Sequence, residues 1–184
     1  LKKIITVASV AIAVVLAIVG FKYVKDNDID IKEYIEESAT MKGTIGDTLS
    51  DNDVKITLTD ALIYPRIEGE AFTDTPAEGK EYLVFFFNVE NIDDENNFVS
   101  IHNFTGYVDD TLVASKILIN NVDNVQYLSA DLTPGKKARG YVAYEVDTNW
   151  KQFDIHYKEN SFDYNDSMIF TVVNEENNQN NNNA

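Results

Sequence analysis

The sequence predicts an all-β protein, an immunoglobulin-like β-sandwich of about seven strands that is preceded by one N-terminal transmembrane helix. Two observations predict it. From residue 44 onward, short β-type runs are separated by clusters of Gly, Pro, Asn and Asp, which is typical of sandwiches and barrels. Before them, 18 consecutive residues carry no charge. The predicted organisation is an anchor over 1–25, an acidic stalk over 26–42, the sandwich over 43–173 and a disordered Asn-rich tail over 174–184.

The apolar segment over residues 4–21 is the predicted contact with the membrane. At about 1.5 Å per residue, a helix of this length covers about 27 Å, which is close to the ~30 Å of a bilayer's hydrocarbon core. Lys2 and Lys3 precede it, and no A-x-A-like cleavage site follows. An uncleaved anchor is therefore favoured over a cleaved signal peptide. We expect a single-pass protein of the cell membrane with its domain on the extracytoplasmic side.

Charge and cysteine content exclude several classes of function. The net charge is -16, and beyond residue 25 the chain has 11 basic against 31 acidic residues, a net charge of -20. Such a surface repels nucleic acid and favours a cation or a basic partner. The chain has no cysteine. This excludes a thiol nucleophile, a thiolate metal site, disulfides and a lipidated cysteine within this sequence.

The stalk and the tail lack the patterns of folded elements. In the stalk, Asp26, Asp28, Asp30 and Glu37 fall at positions 1, 3, 5 and 12 of a calcium-binding EF-hand loop, but position 6 is Ile31 and not glycine. A solvated acidic spacer is therefore the preferred interpretation. The tail is repetitive and low in apolar residues, which favours disorder.

The run over residues 54–64 alternates with period two, which indicates a strand with one buried face. The predicted inward residues are Val54, Ile56, Leu58, Leu62 and Tyr64.

The run over residues 82–92 is apolar on both faces, as in a central strand. One face is predicted to hold Leu83, Phe85, Phe87 and Val89, and the other Val84 and Phe86.

Five further runs complete the predicted sandwich. They are 98–108, 112–119, 138–146 with Val142, Tyr144 and Val146 inward, 151–158 with Phe153, Ile155 and Tyr157 inward, and 168–173. Thr133-Pro134-Gly135 predicts a type II turn, because proline presets φ and glycine supplies the positive φ that follows.

Three sequence blocks resemble a known family. They are the opening block over 43–64, the block over 78–91 that ends in Glu90-Asn91, and the turn and strand over 132–146. Together they resemble the bacterial exported immunoglobulin-like domains of unknown function whose fold is called telokin-like and which are grouped with a secreted mycobacterial immunoprotective antigen. The family usually has Asp-Gly at a hairpin where this chain has Asp109-Asp110, so we expect that hairpin to be longer or bulged. The resemblance implies no catalytic residues.

Candidate chemistry is sparse. General-base catalysis through histidine could use only His102 and His156, and we expect both to lie on the surface. The motifs G-x-S-x-G and H-E-x-x-H and glycine-rich phosphate loops are absent from the sequence. We therefore expect no enzyme, no catalytic residues and no cofactor.

Two acidic segments and four aromatic residues are the remaining candidates. Asp93, Asp94 and Glu95, and also Asp51 with Asp53, could ligate Ca²⁺ through carboxylate oxygens, although acidic loops commonly look like this. Four aromatic side chains could line a carbohydrate or peptide surface, but packing within the sandwich is the commoner role. They are Tyr107, Tyr127, Tyr141 and Trp150.

These observations favour a non-enzymatic extracytoplasmic module that binds a protein or envelope partner at the cell surface. The alternative is a small-ligand or Ca²⁺-binding sensor domain. A protein-binding surface should present an exposed apolar or aromatic patch, whereas an ion site should present converging carboxylates.

Overall fold

The computed structural model describes residues 40–159, 168–175 and 177, and in this part the chain is all-β, as predicted. The described part has fourteen β-strands and one 3-10 helix, η1. They are β1 Met41–Gly43, β2 Thr48–Ser50, β3 Val54–Tyr64, β4 Ile67–Glu68, β5 Thr73–Asp74, β6 Lys80–Asn91, β7 Asn97–Ser100, η1 Ile101–Asn103, β8 Phe104–Val108, β9 Thr111–Val113, β10 Ser115–Lys116, β11 Ser129–Leu132, β12 Lys137–Asp147, β13 Gln152–Tyr157 and β14 Met168–Val173.

Several predicted segments fall wholly or partly outside the described residues. The membrane segment over 4–21 and the acidic residues Asp26, Asp28, Asp30 and Glu37 lie outside them. Within the described ranges, no helix has the length and apolar character needed to cross a membrane. The end of the predicted stalk belongs to β1. At the start of the predicted tail, the Asn177 amide donates to the carbonyls of Thr148 and Trp150 at 3.0 and 2.9 Å.

Two five-stranded sheets carry the fold. Sheet A has the order β1-β14-β13-β8-β9, and sheet B has the order β10-β12-β6-β3-β2. Only the pairing of β1 with β14 is parallel within these two sheets. If β3, β6, β8, β10, β12, β13 and β14 are lettered A to G, sheet B reads ABED and sheet A contains CFG, the strand order of immunoglobulin domains. The other strands are short additions to this arrangement.

The main core lies between the sheets and is rich in aromatic rings. Phe85 of β6 is fully buried, and its ring centroid lies 4.9 Å from that of Phe153 in β13 and 5.9 Å from that of Tyr144 in β12. The contact between Phe85 and Phe153 joins strands B and F, which a disulfide joins in antibody domains. The inward residues predicted for β6, β12 and β13 are confirmed by their burial: Leu83, Phe85, Phe87, Val89, Val142, Tyr144, Val146, Phe153, Ile155 and Tyr157.

A second apolar core covers part of the outer face of sheet B. Val84 and Phe86 of β6 are 0% and 2% exposed on this face, which confirms that β6 is buried on both sides. Residues 65–79 and 117–127, which we call the covering layer, supply the opposing side chains. The buried members of the second core are Ile67, Tyr82, Val84, Phe86, Leu118, Val122, Tyr141 and Ala143.

The alternation predicted for β3 is wrong in its second half. The pairing of β3 with β6 shifts register between Leu58 and Asp60, so Thr59 is an extra residue in a β-bulge. Beyond it, Ala61 packs against the main core, Leu62 is 42% exposed and Tyr64 packs against the second core. The bulge therefore exchanges the two faces of the strand, since side chains alternate with period two.

Two other predicted strands are interrupted. The run over 98–108 is divided by η1, where the Asn103 side chain accepts the Ser100 N–H at 2.9 Å and the Ser100 hydroxyl accepts the His102 N–H at 3.3 Å. The run over 112–119 divides into β9 and β10 and then enters the covering layer. In the first run, short polar side chains that bond to the backbone therefore end the strand earlier than the apolar pattern suggests.

The predicted turn at Thr133-Pro134-Gly135 is confirmed. Lys136 N–H donates to the Thr133 carbonyl at 3.0 Å, and Gly135 has φ +72°.

The hairpin between β8 and β9 is neither longer nor bulged, contrary to expectation. Asp109 and Asp110 form a two-residue loop with φ +43° and +67°, which suits a type I′ turn. The Asp109 carboxylate accepts the Gln152 N–H at 2.9 Å, which fixes the loop against the start of β13.

Replacing Phe85 by Ala should destabilise the domain by about 3–5 kcal/mol, because it removes a fully buried ring from the centre of the main core. Chemical denaturation measures the loss. Ile63→Ala is the control, since Ile63 is 46% exposed on a neighbouring strand. Equal losses in the two variants would contradict the described packing.

Replacing Asp110 by Gly should stabilise the domain by up to about 1 kcal/mol, because glycine adopts the left-handed conformation without the strain that an L side chain carries. Asp109→Gly is the matched control and should give no gain, since it also deletes the acceptor of the Gln152 N–H. Melting temperatures compare the two variants, and a gain for Asp109→Gly alone would contradict this account.

Candidate functional site

The acidic loop after β6 is organised by the side-chain amide of Asn91. Asn91 is fully buried, and its side chain donates to the carbonyls of Glu95 and Leu132 at 2.7 and 2.8 Å and accepts the Asp93 N–H at 3.0 Å. The Asp93 carboxylate accepts the Asp94 N–H at 2.6 Å. Across the residues that the structure describes, no three His, Cys, Asp or Glu side chains are grouped so that they could hold a metal ion. Asp93, Asp94 and Glu95 are therefore not brought together as a site.

The second acidic segment, at Asp51 and Asp53, forms a backbone turn. The Asp51 carboxylate accepts the N–H groups of Asp53 and Val54 at 3.0 and 2.8 Å. The side chain thus starts β3, which is a common use of aspartate in turns.

The two histidines lie on different elements. His102 is exposed in η1, and His156 lies on β13 with its side chain away from the main core. The His156 ring is 4.7 Å from the ring of Tyr107. The structure does not unite the histidines in one site.

The four candidate aromatic residues do not form one surface either. Trp150 is buried, and its Nε1 donates to Glu81 at 3.0 Å. Tyr141 is buried in the second core, and Tyr107 pairs with His156. Only Tyr127 of the four is largely exposed, at 46%. Packing is therefore the main role of this set.

Sequence reasoning missed a different group, three large apolar side chains on the covering layer. Phe72, Ile117 and Ile119 are 66%, 64% and 74% exposed. Leu118, between the two isoleucines, is 4% exposed and belongs to the second core. Because Leu118 points inward, its two neighbours point outward. We call Phe72, Ile117 and Ile119 the apolar patch. The exposure of these positions was not visible in the sequence, because the covering layer has no regular period.

A polar clamp holds the two segments of the covering layer together. The Asp74 carboxylate accepts the N–H groups of Ile119 and Asn120 at 3.0 and 2.9 Å and the Asn120 amide at 2.9 Å. The same amide donates to the Phe72 carbonyl at 3.0 Å. The Asn120 amide and the Asp74 carboxylate therefore join the backbone segment that carries Phe72 to the segment that carries Ile119.

Two tyrosines extend this clamp to the sheet. The Tyr141 hydroxyl donates to the Asn120 carbonyl at 3.1 Å, and the Tyr64 hydroxyl donates to Asp123 at 2.7 Å. Burial raises the pKa of Tyr141 to about 12, and the Asp74 charge adds to the effect. Burial is the largest cause that raises the pKa of Tyr64, and the hydrogen bond to Asp123 is the second. Both hydroxyls are therefore protonated donors at neutral pH.

The fold and these contacts define a β-sandwich with immunoglobulin strand order and a structured layer over one sheet. The chain belongs to a family described as a domain of unknown function, DUF4352, which matches residues 43–179. The prediction of a β-sandwich family of unknown function is thereby confirmed. No curated protein matches the sequence significantly.

Solved structures share this fold at low sequence identity. The Bacillus subtilis protein ycdA, described as a "putative lipoprotein", superimposes with a TM-score of 0.57 at 14% identity over 73% of this chain, which spans 41% of that protein. The yjhA protein of the same species gives 0.51 at 18% identity over 68% of this chain and 86% of its own. An uncharacterized β-sandwich protein from Clostridium difficile 630 gives 0.50 at 10% identity over 74% and 96%. At such identities the likeness concerns the fold alone.

Neutralising the acidic loop tests the cation hypothesis directly. In Asp93→Asn/Asp94→Asn/Glu95→Gln, we expect millimolar CaCl₂ and NaCl at matched ionic strength to raise the melting temperature equally, as in the parent chain. The reason is that both salts screen the repulsion of a chain with a net charge of -16. A rise specific to Ca²⁺ in the parent, lost in the triple variant, would instead establish a calcium site by linkage.

Proposed function

We propose that this chain is a membrane-anchored, non-enzymatic module on the extracytoplasmic side of the cell membrane, and that it binds a protein partner through the apolar patch. The main observation that supports this proposal is the exposure of Phe72, Ile117 and Ile119 on the covering layer, whose two segments are joined by the polar clamp. The anchor is the predicted single-pass segment over residues 4–21. The description of the similar ycdA protein as a "putative lipoprotein" supports a surface location, and the narrower telokin-like grouping belongs to this proposal as well.

The patch has the properties of a binding surface. Isolated exposed apolar side chains are common on proteins, but neighbouring ones with a polar rim mark interaction sites. Full burial of each such side chain in an interface contributes about 1.5–3 kcal/mol. The clamp through Asp74 and Asn120 holds the patch in place before binding, which reduces the conformational entropy that binding removes.

Charge around the patch indicates the kind of partner. Glu68 and Glu70 lie on the hairpin of β4 and β5 that carries Phe72, and Asp123 lies on the other covering segment. Two basic residues lie beside the patch in the described part of the chain, and both are paired: Arg66 with Glu68 at 2.6 Å, and Lys116, which precedes Ile117, with Glu145 at 3.1 Å. A partner with an apolar surface bordered by Lys or Arg side chains fits best.

Photo-crosslinking in intact cells tests the proposal. A crosslinking amino acid at position 119 of the full chain should give a defined protein adduct, whereas the same amino acid at position 112 should not. Leu112 is a fair control position because its exposure, 63%, is close to the 74% of Ile119.

The captured protein is then purified for affinity measurement. Phe72→Ser/Ile119→Ser should weaken its binding at least about tenfold, since two buried anchors are lost. Phe98→Ser/Leu112→Ser is the matched control, with one aromatic and one aliphatic residue that are 57% and 63% exposed. Equal adducts at both positions, or equal affinities of both variants, would contradict a role of the patch. Binding that required Ca²⁺ would favour the sensor alternative.

A further inference from the structure

A second surface on sheet B has the opposite chemistry to the apolar patch. Beyond the covering layer, the outer face of β3, β6 and β12 is polar and forms an open groove of about 480 Å³. We call it the basic groove. Its polar lining residues are Thr48, Lys55, Thr57, Asn88, Glu90, Lys137 and Arg139.

Strand register places the groove's side chains in two rows. Lys55 and Lys137 flank Glu90, and the Lys137 ammonium lies 3.0 Å from the Glu90 carboxylate. One step further along the strands, Thr57 and Arg139 flank Asn88. Thr48 extends this second row, since its hydroxyl lies 2.8 Å from that of Thr57.

The charge of the groove contrasts with that of the whole chain. Three of the ten Lys and Arg residues in the described part line it, and Glu90 is the single acidic residue among its lining residues. The lining therefore has a net charge of +2 in a chain with a net charge of -16. Screening confines such fields to about 8 Å at physiological ionic strength, so a bound anion experiences chiefly the groove.

Donor groups lie between the free charges. The charge of Lys137 is paired with the Glu90 carboxylate. Lys55 and Arg139 lie on the strands at opposite sides of β6 and face the groove. The guanidinium carbon of Arg139 lies 6.0 Å from the centroid of the Phe86 ring, at the border of the second core. Hydroxyl and amide groups of Thr57 and Asn88 separate the two cations. Phosphate oxygens are the acceptors that such a set of Arg, Lys, hydroxyl and amide donors suits.

We propose that the basic groove binds the phosphodiester groups of an extended anionic polymer outside the membrane. Strands lie about 4.8 Å apart, so Lys55 and Arg139 are separated by about 10 Å across the sheet. This separation suits contact with two successive anionic groups of a polymer better than contact of both residues with a single anion. A single exposed ion pair changes affinity by about fivefold at most. Binding of useful strength therefore requires several phosphates on one chain.

The test measures binding of a fluorescent poly(glycerol phosphate) oligomer to the full-length chain in a neutral detergent. Lys55→Gln/Arg139→Gln should weaken binding about tenfold, as two exposed charge contacts are lost. Lys42→Gln/Lys151→Gln removes the same charge from positions outside the groove and should change the affinity less than about twofold.

A variant that should bind more tightly excludes unfolding as the cause of weaker binding. Glu90→Gln deletes the only acid of the groove lining and releases Lys137, so it should tighten binding about threefold. Inorganic phosphate should compete only at much higher concentration than the oligomer. Equal weakening in the Lys55/Arg139 and Lys42/Lys151 double variants, no gain for Glu90→Gln, or inorganic phosphate binding as tightly as the oligomer would each overturn the proposal.

Discussion

The burial of β6 on both faces is the constraint from which the other features follow. On the inner face, Phe85 contacts Phe153 and Tyr144 across the main core. The outer face of the same strand carries Val84 and Phe86, and a sheet face of this kind cannot remain in water. An ordinary β-sandwich has two layers, one for each sheet, but a strand that is apolar on both faces requires a third layer over its outer face. The covering layer is that third layer, which explains why two irregular segments depart from the sheets to lie over β6 and β12.

The limit of the covering layer determines both candidate surfaces. It ends at the row of Phe86 and Tyr141, because the next outward residues of β6 are Asn88 and Glu90 and need no apolar cover. The sheet beyond that row is therefore open and lined by polar side chains. On the solvent side of the layer, the inward Leu118 forces its isoleucine neighbours outward. The apolar patch and the basic groove are thus two consequences of one packing problem.

The sequence predicted the regular parts of the fold and missed the irregular ones for physical reasons. Alternation identified the inward residues of β6, β12 and β13, since burial follows strand parity there. The bulge at Thr59 inserts one residue without any Gly or Pro, so no local signal marks the exchange of faces. Asn91 looked like a strand end, but one of its three side-chain hydrogen bonds reaches Leu132, 41 residues further along the chain, and the other two hold the adjacent loop. The apolar patch lies on segments without a regular period, and the basic groove combines residues of three strands whose pairing the alternation within each strand does not specify.

Low identity to structures with the same fold bears on where binding chemistry resides. The sandwich is shared with proteins that are 10–18% identical to this chain, so the main core alone does not determine function. Binding chemistry must then come from features that the sandwich does not dictate. In this chain the features proposed to supply it are the covering layer, its clamp through Asp74 and the polar rows that it leaves open. A rigid scaffold with irregular segments above one sheet lets such surfaces differ while the core is kept.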